Sequence, residues 1–191
     1  VKNNLQVITS MLAMQARGQD DDVLAEALRE SQRRVMTMAR IHESLHQSDD
    51  LSSINAHEYL NALVEDIRKG NDLDPELVSL LTDIDPLILD IEYAISCGQI
   101  VSELLSNSVK HAFPNGRSGK IVVSLRQLDE GKTELTVADD GIGLPEDFDL
   151  DNGKSLGLQL VNAMVSKIHG SVMVDGSNGT RTKIIFREEH P

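Results

Sequence analysis

Leu135-Thr-Val-Ala-Asp139-Asp140-Gly141-Ile142-Gly143 decides how this chain folds, once it is set beside Glu103-Leu-Leu-Ser-Asn107-Ser-Val-Lys110-His111. The first stretch is a strand-like run that delivers a carboxylate at its end. Two glycines follow, and they let backbone approach a flat ligand closely. The second stretch has helical character, and positions 103, 107 and 110/111 recur one or two turns apart, so they share a face. That face carries an acid, an amide, an ammonium and an imidazole. Such a set holds a metal ion and a polyphosphate while the carboxylate reads a base. A nucleotide pocket is the natural reading.

Working outward, Ser96 and Gln99 stand where the cap of the helix bearing Glu103 and Asn107 is expected, and the helix should stop before Phe113-Pro114. Two alternating strands follow, near 120–128 and 133–139, with Asp129-Glu-Gly-Lys132 as the hairpin. Residues 144–156 are acidic and aperiodic, which predicts a mobile loop. A helix is expected from Gly157 to Ile168, then strands near 171–175 and 180–186 around Asp175-Gly-Ser-Asn-Gly179. Upstream, Leu77–Ile84 and Leu87–Ile91 are strand-like. Asn55 with Glu58 forms a capping box before a helix that buries Leu60, Leu63, Val64 and Ile67. The fold class is α+β: a sandwich with helices on one face of a mixed sheet.

Residues 1–46 read differently, as two helices broken at Arg17-Gly-Gln-Asp-Asp-Asp22. Their apolar stripes, Val1, Leu5, Ile8 and Leu12 on the first and Leu24, Leu28, Val35 and Met38 on the second, are too wide to bury against each other. A homodimeric four-helix bundle is the simplest solution. The domain expectation is a helical hairpin over 1–46, a polar linker over 47–54, and a sandwich over 55–191.

The composition sets limits. A net charge of −13 argues against nucleic-acid or anionic-membrane partners, and obliges an anionic nucleotide to rely on local cations or Mg²⁺. Aromatics make up 3% of the chain and Trp is absent, so the core must be aliphatic. The single Cys97 excludes a disulfide framework and fits a cytoplasmic setting. No apolar run approaches a membrane span. The start at Val1 reads as a piece of something longer, with an upstream sensor domain expected in the full protein.

In this order and spacing, Glu103 to Phe113 and Asp139 to Gly143 resemble the N box and G1 box of the histidine-kinase/gyrase/Hsp90/MutL-type ATPases. Ser155-Leu-Gly-Leu-Gln-Leu-Val161 is similar to their G2 region, and Gly179-Thr180 to the last glycine-containing motif. Val1-Lys-Asn-Asn-Leu-Gln-Val-Ile8 and Arg34-Val-Met-Thr-Met-Ala-Arg-Ile-His-Glu-Ser-Leu45 resemble the dimerisation hairpin of sensor histidine kinases of the HisKA_2 or HWE-related type.

That resemblance implies the following roles. Asp139 binds the adenine amino group, with Gly141 and Gly143 lining the base and Thr180 supporting it. Asn107 coordinates Mg²⁺. Lys110 and His111 reach the phosphates of ATP, and Gly157 and Leu158 offer helix N-terminal amides to them. Glu103 orients a water or the metal. The implied activity is two-component signalling: phosphoryl transfer from Mg-ATP to a histidine of the dimerisation helix, then to a response regulator aspartate.

There is one departure. Family members read His-Arg-Val-Lys-Asn-Asn, so the phosphoacceptor His is expected two positions before Val1. The stretch 1–191 is therefore expected to bind ATP without phosphorylating itself at the usual site. His42 is the best internal substitute, although a packed seam residue is its ordinary role. The main alternative is a docking scaffold with a non-catalytic nucleotide fold. An anti-sigma-type serine kinase lacks the long hairpin, and a gyrase- or MutL-like ATPase needs a transducer domain for which 191 residues leave no room.

Overall fold

The computed structural model describes residues 2–17, 24–25, 27–29, 31–32, 35–36, 39, 53–70, 74–145 and 156–188. The chain divides into two compact units, Val1–Ile54 and Asn55–Pro191.

In the first unit, α1 (Lys2–Arg17) ends on a basic residue, favourable at a helix C-terminus. Thr9 and Ala16 are buried, whereas Ile8, Met11 and Met14 are 44%, 57% and 69% exposed. Three apolar side chains at three-residue spacing thus form an uncovered stripe in the single chain. The described positions from Leu24 to Ala39 are helical, with Ala25 buried and Leu24 and Met36 exposed. Gly18, the Asp20–Asp22 break and His42 lie outside the described residues.

The second unit follows a three-residue strand, β1 (Ser53–Asn55). The Asn55 side-chain oxygen accepts the Glu58 amide at 3.2 Å, which starts α2 (Ala56–Gly70) as the capping pattern predicts. Next come β2 (Val78–Ile84), β3 (Ile88–Asp90), α3 (Ile91–His111), β4 (Gly119–Gln127), β5 (Lys132–Asp139), α4 (Leu156–Lys167), β6 (Ser171–Asp175) and β7 (Thr180–Arg187). The sheet runs β2-β4-β5-β7-β6; β2 is parallel to β4 and the other neighbours are antiparallel.

Strand alternation assigns the two faces. Ile121, Val123 and Leu125 of β4, Leu135 and Val137 of β5, and Ile184 and Phe186 of β7 are buried on one of them. Leu60, Leu63 and Val64 of α2, Cys97, Val101 and Leu104 of α3, and Val161 and Val165 of α4 complete this aliphatic core. Burial of each such side chain contributes roughly 1.5–3 kcal/mol. The other face carries cross-strand ion pairs, including Lys183 with Glu134 at 2.8 Å and Arg126 with both Asp83 and Asp85. The expected α+β class with a mixed sheet and helices on one face is the observed one.

One local expectation fails. Ser96 and Gln99 do not cap the motif helix; they are buried inside it, because α3 already starts at Ile91, straight after β3. Ala94 and Cys97 extend the sheet-facing stripe of Val101 and Leu104 by two turns, and burying them outweighs an earlier cap. Ser96 Oγ instead donates back to the Glu92 carbonyl at 2.9 Å.

Candidate functional site

At the C-terminal end of β5 the strand stops on Asp139, whose side chain is only 7% exposed. Alternation points Asp139 to the helix-covered face, in line with Leu135 and Val137. Its Oδ1 accepts two backbone amides, Gly141 at 3.0 Å and Thr180 at 3.0 Å. Its Oδ2 accepts the Ser108 hydroxyl at 2.7 Å. An ionised carboxylate offers about four acceptor positions, so this one keeps capacity for a further donor. Among the described residues none of its hydrogen-bond partners is a cation.

The turn after Asp139 is locked to the end of α3. Ile142 N–H donates to the Ala112 carbonyl at 3.0 Å. A Cβ on Gly141 would lie 2.4 Å from both the Ala112 Cβ and its carbonyl oxygen, so only glycine fits there. Gly143 has φ +77°, and a Cβ on it would meet the Gly176 carbonyl at 2.3 Å. The β6–β7 turn thus presses on this loop, and Leu144 N–H donates to Gly176 O at 3.2 Å. Asp140 points the other way, accepting the Lys120 amide at 2.7 Å and closing the corner between β4 and β5.

These elements enclose a cavity of about 280 Å³. Its walls bring together Asn107 and His111 from α3, Asp139 and Gly143 from the turn, Leu158 from the first turn of α4, and Thr180 from β7. Apolar Leu104, Val137, Leu144 and Val174 supply flat walls. A mostly aliphatic slot with a buried carboxylate on one wall suits an aromatic base that carries an amine. On the observed hydrogen bonds, the residues present therefore fit an adenine nucleotide.

Not every candidate lines this cavity. Glu103 is buried outside the lining, and Lys110 lies exposed beyond it. Gly141 acts behind the wall through its amide, and Gly157 is buried in the first turn of α4. Ser108 and Thr182 line the cavity and escaped sequence reading. Period-two alternation from Thr180 points to Thr182, and the sheet-facing stripe through Leu104 points to Ser108. Among the described residues no cluster of three His, Cys, Asp or Glu side chains holds a metal, and no helix is long and apolar enough to cross a membrane.

With this fold and site, the chain belongs to the histidine kinase-, DNA gyrase B- and HSP90-like ATPase family, whose model matches residues 93–190. A histidine kinase family model, HisKA_2, matches residues 1–70, so the resemblance read from the motifs holds for both parts. Among similar proteins, the sensor histidine kinase PdtaS of Mycobacterium tuberculosis (strain ATCC 25618 / H37Rv) is 33% identical over 194 residues, 98% of this chain. The blue-light-activated histidine kinase 2 of Erythrobacter litoralis (strain HTCC2594) is 29% identical over 197 residues, covering 96% of this chain. The chain spans 37% of the length of the first and 54% of the second. The solved histidine kinase domain of Erythrobacter litoralis EL346 shares the fold, with TM-score 0.77, 22% identity, and coverage of 96% of this chain and 95% of that one.

Proposed function

We propose that residues 1–191 are the kinase core of a sensor histidine kinase that binds Mg-ATP in the cavity beside Asp139. The observation that carries this reading is the Asp139 carboxylate itself: buried, pinned by three neutral donors, and still able to accept from an exocyclic amine. Leu104, Val137 and Val174 would hold the base between aliphatic walls. Asn107 lines the same cavity and would hold Mg²⁺ through its amide oxygen, a hard ligand suited to that ion. His111 and, from the rim, Lys110 would face the phosphates, Lys110 adding a local cation that a chain of net charge −13 needs. Leu158, in the first turn of α4, would offer its backbone amide there.

Bound ATP supplies a γ-phosphoryl group whose transfer depends mainly on positioning and charge neutralisation. The nucleophile in this reading is an imidazole of the dimerisation helix, at the position the family places two residues before Val1, and the phosphoryl group then passes to a response regulator aspartate. Glu103 sits one helical turn before Asn107 and would orient a water or the metal. The exposed Ile8, Met11 and Met14 stripe supports dimerisation through residues 1–46. The 47–54 segment would govern how often nucleotide and imidazole meet under an upstream sensor.

The test is incubation of this chain with labelled ATP beside one extended upstream to include the His. Acid-labile label on the extended form alone is the expected result. Nucleotide binding with label on neither form would favour a non-catalytic docking scaffold.

A further inference from the structure

We propose that Ser108 is a positioning residue that sets the selectivity of the cavity for a nucleobase bearing an exocyclic amine; this rests on the nucleotide reading above. Ser108 lies in the interior of α3, where a serine hydroxyl ordinarily bonds back to the carbonyl four residues earlier. Ser31 does this with Ala27 O and Ser96 with Glu92 O, both at 2.9 Å. Ser108 takes another partner. Its hydroxyl crosses to Asp139 Oδ2 at 2.7 Å, a contact buried between residues 31 apart in the chain.

The two backbone amides of Gly141 and Thr180 both bind Oδ1. They hold one oxygen, and Ser108 holds the other, so turning the carboxyl group about its Cβ–Cγ bond must break the hydroxyl bond as well as the two amide bonds. With the hydroxyl proton directed to Oδ2, the wall formed by Ser108 and Asp139 presents acceptors to the cavity both residues line. Such a wall welcomes an amino group and repels a carbonyl. Discrimination against purines lacking the amine therefore depends on the Ser108 hydroxyl as well as on the carboxylate. The side chain acts through Asp139, which distinguishes positioning from mere packing.

The experiment is calorimetric titration of the full chain and its Ser108→Ala and Ser108→Thr variants with Mg-ATP and with Mg-purine riboside triphosphate, which lacks the amine. Thermal melts run in parallel establish that each variant folds. Ser108→Ala should weaken ATP about tenfold, the scale of one hydrogen bond to a charged group, while weakening the analogue no more than about twofold. Ser108→Thr keeps the donor and should retain most of the preference for ATP. Equal weakening of both ligands, or no change in either, would overturn the role assigned to Ser108. Wild-type chain that binds neither ligand would instead show that the nucleotide reading has failed, and the Ser108 proposal would fall with it.

Discussion

Asp139 ends β5, whereas Asp85 follows the edge strand β2 and lies beside the opposite end of β4; both are fixed by hydrogen bonds. Asp85 accepts the Gln127 amide at 3.0 Å and the Arg126 guanidinium at 2.9 Å, on the open side of the sheet. The Gln127 amide first, and Arg126 after it, hold its carboxyl below the usual 3.8. Its charge is matched by a cation of the protein, so nothing further is asked of it. Among the described residues Asp139 has only neutral donors, lies on the helix-covered face, and borders a cavity. The contrast suits Asp139 to the recognition role proposed for it: its carboxylate is oriented without being paired to a cation. The same carboxylate paired with arginine becomes a fastening.

Removing the oriented charge should give the largest effect. Asp139→Asn keeps an oxygen for the Gly141 and Thr180 amides but places a donor against either the ligand amine or the Ser108 hydroxyl. We expect ATP affinity to fall by roughly a hundredfold, on the scale of a lost charged hydrogen bond plus a mispaired donor. Calorimetry measures this, and an unchanged affinity would remove the distinction between the two aspartates.

Gly141→Ala attacks the frame that orients Asp139. With its Cβ 2.4 Å from Ala112, the turn must shift, and destabilisation of about 1–3 kcal/mol is expected in urea unfolding, together with weaker ATP binding. Full stability in that variant would mean the turn does not rest on Ala112.

Asp85→Asn should act on stability and its pH dependence, away from the nucleotide site. Because the folded-state pKa of Asp85 lies below its unfolded value, the unfolded chain binds the proton more readily. The stabilisation is present above about pH 4 and lost as pH falls through the folded value. The variant should therefore show a flatter acid limb in its thermal melting profile, with ATP affinity untouched. A matching loss of nucleotide binding would blur the two roles.

Lys183→Met, on the open face, removes the partner of Glu134. The pair is half-buried, and such surface pairs contribute between zero and about 1 kcal/mol, so a fall in melting temperature of about 2–4 degrees is the most to expect.

Much of this was legible in the chain as written. Leu135 to Asp139 alternates, so the strand and the inward direction of its last residue follow from period two. Glu103, Asn107 and Lys110/His111 recur at helical spacing, and the order of the motifs identified the family. What failed was local. Ser96 and Gln99 look like caps by residue type, yet β3 runs directly into α3, and packing of Ala94 and Cys97 sets the start. Lys110 shares the motif face in sequence, but the sheet-facing roll of α3 puts His111 on the cavity wall and Lys110 beyond it.

The amino-acid pattern alone revealed most of the elements, their order and the chemical types gathered in the motifs, because periodicity and turn chemistry act over a few neighbouring residues. Only the tertiary structure decided that Asp139 meets a hydroxyl from α3 and amides from its own turn and from β7. Those partners lie 31, 2 and 41 positions away. Contacts at the longer separations leave no local pattern; they exist because an antiparallel sheet and a buried helix bring three distant segments to one point.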